Sequence, residues 1–246
     1  FKEQGYLLIH PIKQSIIKKY INVENFFAIQ SPCGTVTIDL HWELSGRYSL
    51  MPLYPQKLGS VHTIKLLNRR ITVLNNEMML LYLCIHATSH CWDKLEAACS
   101  VSVLASSGYI RNWQRVIAKA SRLKCKRILL LGLALAKHYF PFQTDPAINH
   151  ALDNDPKIKK IKNTITQKIN QGQRSGIESI AWRFSPVHFL VRDNFTDGLR
   201  YGFRLLFMPT IRDIHRYQFK SVPFFLFYLL RPYNLFRRGV KKRHHA

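Results

Sequence analysis

Asp39, His41 and Glu43 lie two residues apart in the stretch T-V-T-I-D-L-H-W-E-L, residues 35–44. At that spacing an acid, an imidazole and a second acid share one face of a strand. Such a set can hold a divalent cation through oxygen and nitrogen donors, or act as a base. The competing reading is a strand face that meets only solvent. A second pair, His86 and His90, stands four apart, with Cys91 and Trp92 following. H-x-x-x-H can bind zinc, but the catalytic form H-E-x-x-H carries a glutamate where this chain has Ala-Thr-Ser. Two partly buried histidines, hydrogen-bonded within a helical core, are the alternative. Contact with an anion or with the polar face of the hairpin is a third reading.

The elements that must position these residues follow from local pattern. Val36, Ile38, Leu40, Trp42 and Leu44 alternate with Thr35, Thr37, Asp39, His41 and Glu43, which is a strand with one buried face. Ser31-Pro-Cys-Gly34 is turn chemistry, and Phe26–Gln30 is a second short strand, so residues 26–44 read as a β-hairpin. Weak strands follow at Thr63–Leu67 and Ile71–Val73. From Asn76 the pattern turns helical. Asn75 or Asn76 caps a helix that carries both histidines and runs to Leu95, and Glu96–Leu104 continues or restarts it. Asn112 caps a further helix through Lys124, and Lys126–Tyr139 is an apolar one. Asp145-Pro146 and Asp155-Pro156 are cap-then-proline helix starts, the second opening a basic helix through Asn170. Residues 171–176 read as a linker. Helices are expected at 177–191, 195–207 and 221–230, with a loose basic tail from Arg237.

The chain has 246 residues, 47% of them hydrophobic and 12% aromatic, a globular composition with a substantial core. Lys and Arg number 37 against 14 Asp and Glu, a formal charge of +23. That excess predicts attraction to polyanions such as RNA, nucleotides or an anionic membrane surface. Five scattered cysteines without a C-x-x-C suggest reduced thiols and a cytoplasmic location. The longest apolar runs, Ile128–Ala136 and Val222–Leu230, are too short to span a bilayer. The second lies between Lys220 and Arg231 and can touch a membrane surface from the side. No G-x-x-x-x-G-K-[ST], G-x-G-x-x-G or G-x-S-x-G motif occurs. Gly59-Ser60 and the Asp153/Asp155 pair do not form a nucleotidyltransferase dyad, because Asp155 precedes Pro156 in a helix cap. Arg212-Asp213 and the run Arg231–Arg238 either recognise phosphate or form a solvated basic end.

Several segments taken together resemble a bacterial nucleotidyltransferase-like family grouped with the DNA polymerase beta superfamily. They are I-D-L-H-W-E-L (38–44), L-N-N-E-M-M-L-L-Y-L-C-I-H-A-T-S-H-C-W-D-K-L (74–95), N-W-Q-R-V (112–116), and M-P-T-I-R-D with Y-L-L-R-P between 208 and 232. In that superfamily three carboxylates hold two metals, two in a D-x-D pair and one on a later strand. The resemblance matches Asp39 to the later carboxylate, as catalytic metal ligand. It makes His41, His86 and His90 candidates for substrate or phosphate contact. It implies an NTP substrate, an unknown acceptor and Mg²⁺. The D-x-D strand is expected upstream of residue 1, and Ser100 stands where the family usually has an aspartate eight residues after the tryptophan. The chain by itself is therefore expected to bind Mg²⁺ weakly and to be inactive.

The expected fold is α+β, a truncated nucleotidyltransferase-like mixed sheet followed by a mostly helical region. The expected divisions are a sheet remnant at 1–73, a helical domain at 74–170 and a C-terminal helical region with a basic tail at 177–246. A non-catalytic basic module that binds RNA or an anionic membrane surface is the alternative function.

Overall fold

The computed structural model describes residues 2–9, 12, 17–21, 23–44, 61–172, 184–210, 213, 223 and 225–243. Gly59-Ser60, Arg212, the linker residues 173–176 and the first part of the expected helix at 177–191 lie outside them. The architecture is α+β, with small antiparallel sheets first and a mostly helical region after. The chain forms two compact units, one of residues 1–53 with 200–246, the other of residues 54–199.

In the first unit, strands β1 (Leu7–Leu8), β2 (Phe26–Gln30) and β3 (Thr37–His41) form an antiparallel sheet in that order. Helix α1 (Ile17–Ile21) precedes β2. Phe26 pairs with His41, Ala28 with Asp39 and Gln30 with Thr37, which sets the hairpin register. The connection is held by Ser31, whose backbone N–H donates to the Val36 carbonyl at 2.9 Å and whose hydroxyl accepts from the Val36 N–H at 3.1 Å. Gly34 takes φ +72°, a left-handed turn that a side chain resists. On the sheet face opposite Asp39, Phe27 meets Tyr20 and Trp42 at ring-centroid distances of 5.1 and 4.9 Å. Burial, with Glu24 adding to it, pushes the Tyr20 phenol up to about 12.

Two expectations for this hairpin are corrected. The strand ends at His41, and Glu43 turns inward to become buried instead of continuing the polar face. Val36 and Leu40, expected on the buried face, remain exposed. Among the described residues β3 is the last strand of a three-stranded sheet, which offers little surface to cover its apolar side chains.

The second unit begins with a hairpin of β4 (Val61–Leu66) and β5 (Arg69–Leu74). Its two-residue loop, Leu67 and Asn68, has φ of +46° and +62°, the mirror-image turn that matches strand twist. Helix α2 (Asn76–Ser89) starts where Asn75 accepts from the Met78 N–H at 3.0 Å. It does not run on to Leu95. Cys91 and Trp92 adopt φ of +53° and +57°, and the Trp92 N–H returns to the Ala87 carbonyl at 2.9 Å. This turn folds the indole into the core, where its Nε1–H donates to Thr88 Oγ1 at 3.1 Å.

Helices α3 (Leu95–Ser106), α4 (Trp113–Arg122), α5 (Lys126–Tyr139), α6 (Pro146–Asp153) and α7 (Pro156–Asn170) follow. The middle of α5 is apolar on every side, and it packs against α2, α3, α4, α6 and α7 as the central helix of the unit. Gly132 lets α5 approach α2: a Cβ there would lie 2.4 Å from Cys84 Sγ. Helix α7 is basic outside, but Ile158, Ile161 and Ile165 bury its inner stripe. Helix α8 (Pro186–Leu190) completes the unit, and α9 (Phe195–Phe207) leads out of it.

Helix α10 (Leu226–Arg243) corrects two further expectations. It passes through Pro232 and replaces the loose tail with helix as far as Arg243. Proline removes one helical hydrogen bond and crowds the preceding turn. The cost is offset because the residues on either side are anchored: Arg231 and Asn234 are fully buried and bind Asp213. The basic run from Arg231 is thus neither a phosphate site nor a solvated end at its first residue.

Candidate functional site

Strand β3 places Asp39 and His41 on one face, together with Phe26, Ala28 and Gln30 of β2. Asp39 and His41 are both exposed. The His41 ring stacks on Phe26 at 5.1 Å between centroids and 19° between planes, which limits its rotation. Asn25 Nδ2 lies 3.2 Å from the Glu43 carbonyl and 3.3 Å from His41 Nδ1. The carbonyl can only accept, so this nitrogen is the amide donor, and it donates to His41 Nδ1 as well. A neutral His41 whose Nδ1 accepts must carry its proton on Nε2. The strand therefore presents a carboxylate and, two residues on, an oriented N–H donor. The carboxylate suits a hard cation or a proton, and the N–H suits a phosphate oxygen.

His86 and His90 share a face of α2, as their spacing predicts, with centroids 4.8 Å apart and Tyr82 5.8 Å from His86. His86 is exposed and His90 half-buried. They belong to the second unit and Asp39 to the first. Among the described residues no group of three or more His, Cys, Asp or Glu side chains is arranged to hold a metal ion. The three-carboxylate set that the resemblance implies for Mg²⁺ is thus not made up by the described residues. Asp155 is committed elsewhere: it accepts from the Lys157 N–H at 3.1 Å and from Arg127 Nε at 2.7 Å. Ser100 directs its hydroxyl to the Glu96 carbonyl at 3.0 Å, within its own helix.

Sequence reasoning missed two features. Asn25 is one, since nothing in its local sequence marks it as the residue that orients a histidine 16 positions away. The other is a cleft of about 550 Å³ in the second unit, lined by Lys126, Arg127, His150, Asn154, Asp155 and Asp193 among others. Its charges are largely satisfied internally. Asp193 accepts the N–H groups of Lys126 and Arg127 at the start of α5, at 2.9 and 2.8 Å, and Arg127 pairs with Asp155.

All five cysteines are free thiols. In the hairpin turn, Cys33 Sγ lies 3.2 Å from Ser31 Oγ and 2.9 Å from Thr35 Oγ1. Hydrogen bonds from Ser31 and then Thr35 stabilise the thiolate and lower Cys33 to about 7. Burial raises Cys84 and Cys125 instead. Iodoacetamide should therefore alkylate Cys33 first in the folded protein, because the thiolate is the nucleophile. The rate should rise with pH through a midpoint near 7, moving up in Ser31→Ala. Peptide mapping of the alkylated chain checks this, and a midpoint at the ordinary 9.0 contradicts it.

The resemblance implied an α+β fold with a sheet before a mostly helical region, and the chain has that order, with its described strands all paired antiparallel. The sequence model of the uncharacterised nucleotidyltransferase family matches residues 1–141, more than half of the chain, and the chain belongs to that family. No curated protein and no solved structure matches it.

Proposed function

We propose that the chain derives from metal-dependent transfer of a nucleotidyl group from an NTP to an acceptor, with Asp39 as its metal-binding carboxylate. The observation that carries this reading is that Asp39 and His41 share one face of β3, where both are exposed. Family membership supports an NTP as substrate. His41, with Nε2–H oriented by Asn25, donates to a phosphate oxygen; His86 and His90, in the other unit, are separate candidates for contact with an anion. When bound, Mg²⁺ neutralises charge on the phosphates. No group of three or more His, Cys, Asp or Glu residues that could hold a metal occurs among the described residues, and this supports the expectation that these 246 residues alone do not perform the transfer.

Labelled NTPs with Mg²⁺ or Mn²⁺ and a panel of RNA and protein acceptors test this. The chain as given should transfer no label. A chain to which a D-x-D strand has been added by design before Phe1 should transfer it. Asp39→Asn in that longer chain should lower the rate more than about 100-fold, beyond what loss of an outer-shell partner costs. Transfer by the 246-residue chain that disappears in Asp39→Asn would overturn the claim of inactivity. Transfer by the longer chain that survives Asp39→Asn removes Asp39 from the site.

A further inference from the structure

Among the described residues, helix α10 has one buried stripe and, on another side, one exposed apolar stripe. Phe227, Arg231 and Asn234, spaced four and three residues apart, have 1%, 0% and 0% exposure. They fix the helix to its unit through Asp213. Phe225, just before the helix, and Leu229, Tyr233 and Phe236 within it are 65%, 67%, 53% and 71% exposed. At 3.6 residues per turn this second stripe lies on the opposite side from the first. Large apolar side chains at that spacing on an outward face are not explained by core packing.

The rest of the helix indicates what covers them. Arg237, Arg238, Lys241, Lys242 and Arg243 occupy its last turns, and no acidic residue follows Asp213 in the chain. The Arg237 guanidinium lies 5.8 Å from the centre of the Tyr233 ring, where stripe and basic end meet. We propose that α10 docks on an anionic phospholipid surface, lying flat, with Leu229, Tyr233 and Phe236 at the acyl boundary and the basic end among the headgroups. Amphipathic helices with this division bind by apolar burial and charge attraction together. Clusters of four to eight Lys and Arg on such a helix are the mark of anionic lipid recognition. No described helix is long and apolar enough to cross a membrane, so α10 lies on the surface. A second copy of this chain is disfavoured as occupant, since two bodies of +23 repel. Single-stranded RNA is held in basic grooves with stacking platforms, whereas this stripe is the convex side of a helix.

The test is sedimentation of the full chain with phosphatidylcholine vesicles, with and without phosphatidylglycerol. Binding is expected only with phosphatidylglycerol. Leu229→Ser with Phe236→Ser should weaken it at least about tenfold while circular dichroism stays unchanged, since both side chains are exposed. A second variant, with Arg237, Arg238, Lys241, Lys242 and Arg243 changed to Gln, should lose binding to a similar degree. The proposal is overturned if the serine variant binds as well as the parent, or if both vesicle types bind equally. It is also overturned if neither vesicle binds while an RNA oligonucleotide does so in a stripe-dependent way.

Discussion

Asp213→Ala should lower the stability of the unit that contains α10 by about 3–5 kcal/mol, the cost of removing one partner from a buried ion pair. Asp213 and Arg231 are both fully buried, with 2.9 Å between Oδ2 and Nη1. The same carboxylate accepts from the Thr210 N–H at 2.9 Å, the Thr210 hydroxyl at 2.7 Å and Asn234 Nδ2 at 3.1 Å. Arg231 Nε and Nη2 are buried without a hydrogen-bond partner, so the guanidinium depends on this carboxylate for its charge balance. Without Asp213 a cation is left uncompensated in the interior. Folded domains are stable by only about 5–15 kcal/mol, so the change removes a large share. Urea denaturation followed by circular dichroism measures it. The double change Asp213→Leu with Arg231→Met should cost less than Asp213→Ala, because it removes both charges together. A loss under about 1 kcal/mol for Asp213→Ala would show the pair to be solvated.

Gly132→Ala in the central helix should also destabilise, although helix propensity alone predicts the reverse. Exchanging Gly for Ala within a helix gains about 1 kcal/mol. Here the new methyl would lie 2.4 Å from Cys84 Sγ, 3.1 Å from the Trp92 ring and 3.2 Å from Cys84 Cβ. Cys84 and Trp92 are themselves buried, so neither can swing into solvent. Overpacking of a tight core costs about 1–3 kcal/mol, and this outweighs the propensity gain. Cys84→Ala removes the nearest atom, so the pair Cys84→Ala with Gly132→Ala should be more stable than the two single effects added together. Thermal unfolding of the four proteins reads that coupling. Gly132→Ala that raises the melting temperature would mean that α2 and α5 can move apart at little cost.

Local signals carried much of the fold. Asp155-Pro156 marks the start of α7 because the carboxylate caps the first turn and proline suits it. The apolar run of α5 and the alternation around Asp39 were equally readable, since each depends on neighbours within one turn or one strand. The failures share a cause. The end of α2 at Ser89 depends on a left-handed turn at Cys91 and Trp92, formed without glycine and held by burial of the indole. The passage of α10 through Pro232, and the burial of Arg231, depend on Asp213, 18 residues before Arg231. Glu43 turns inward where the strand ends. In the candidate site, the pairing of Asp39 with His41 followed from parity, whereas the orienting role of Asn25 required the folded chain. The histidine pair on α2 was legible as a pair from its four-residue spacing, but the exposure of each was not, because the helix is apolar on most sides and gives little phase.

Cys91 and His188 meet in the core, with Sγ 3.3 Å from Nε2 across 97 residues of sequence. Helix α7 packs on α5 and α8 on α7. Residue 141, where the family match stops, therefore falls inside one compact unit. A fragment cut there would expose the flank of α5 that α6 and α7 cover and would remove the neighbour of Cys91. Inheritance that can be recognised in the sequence and independence as a folding body thus have different limits in this chain. The helices beyond 141 cover part of the core to which the recognised part contributes.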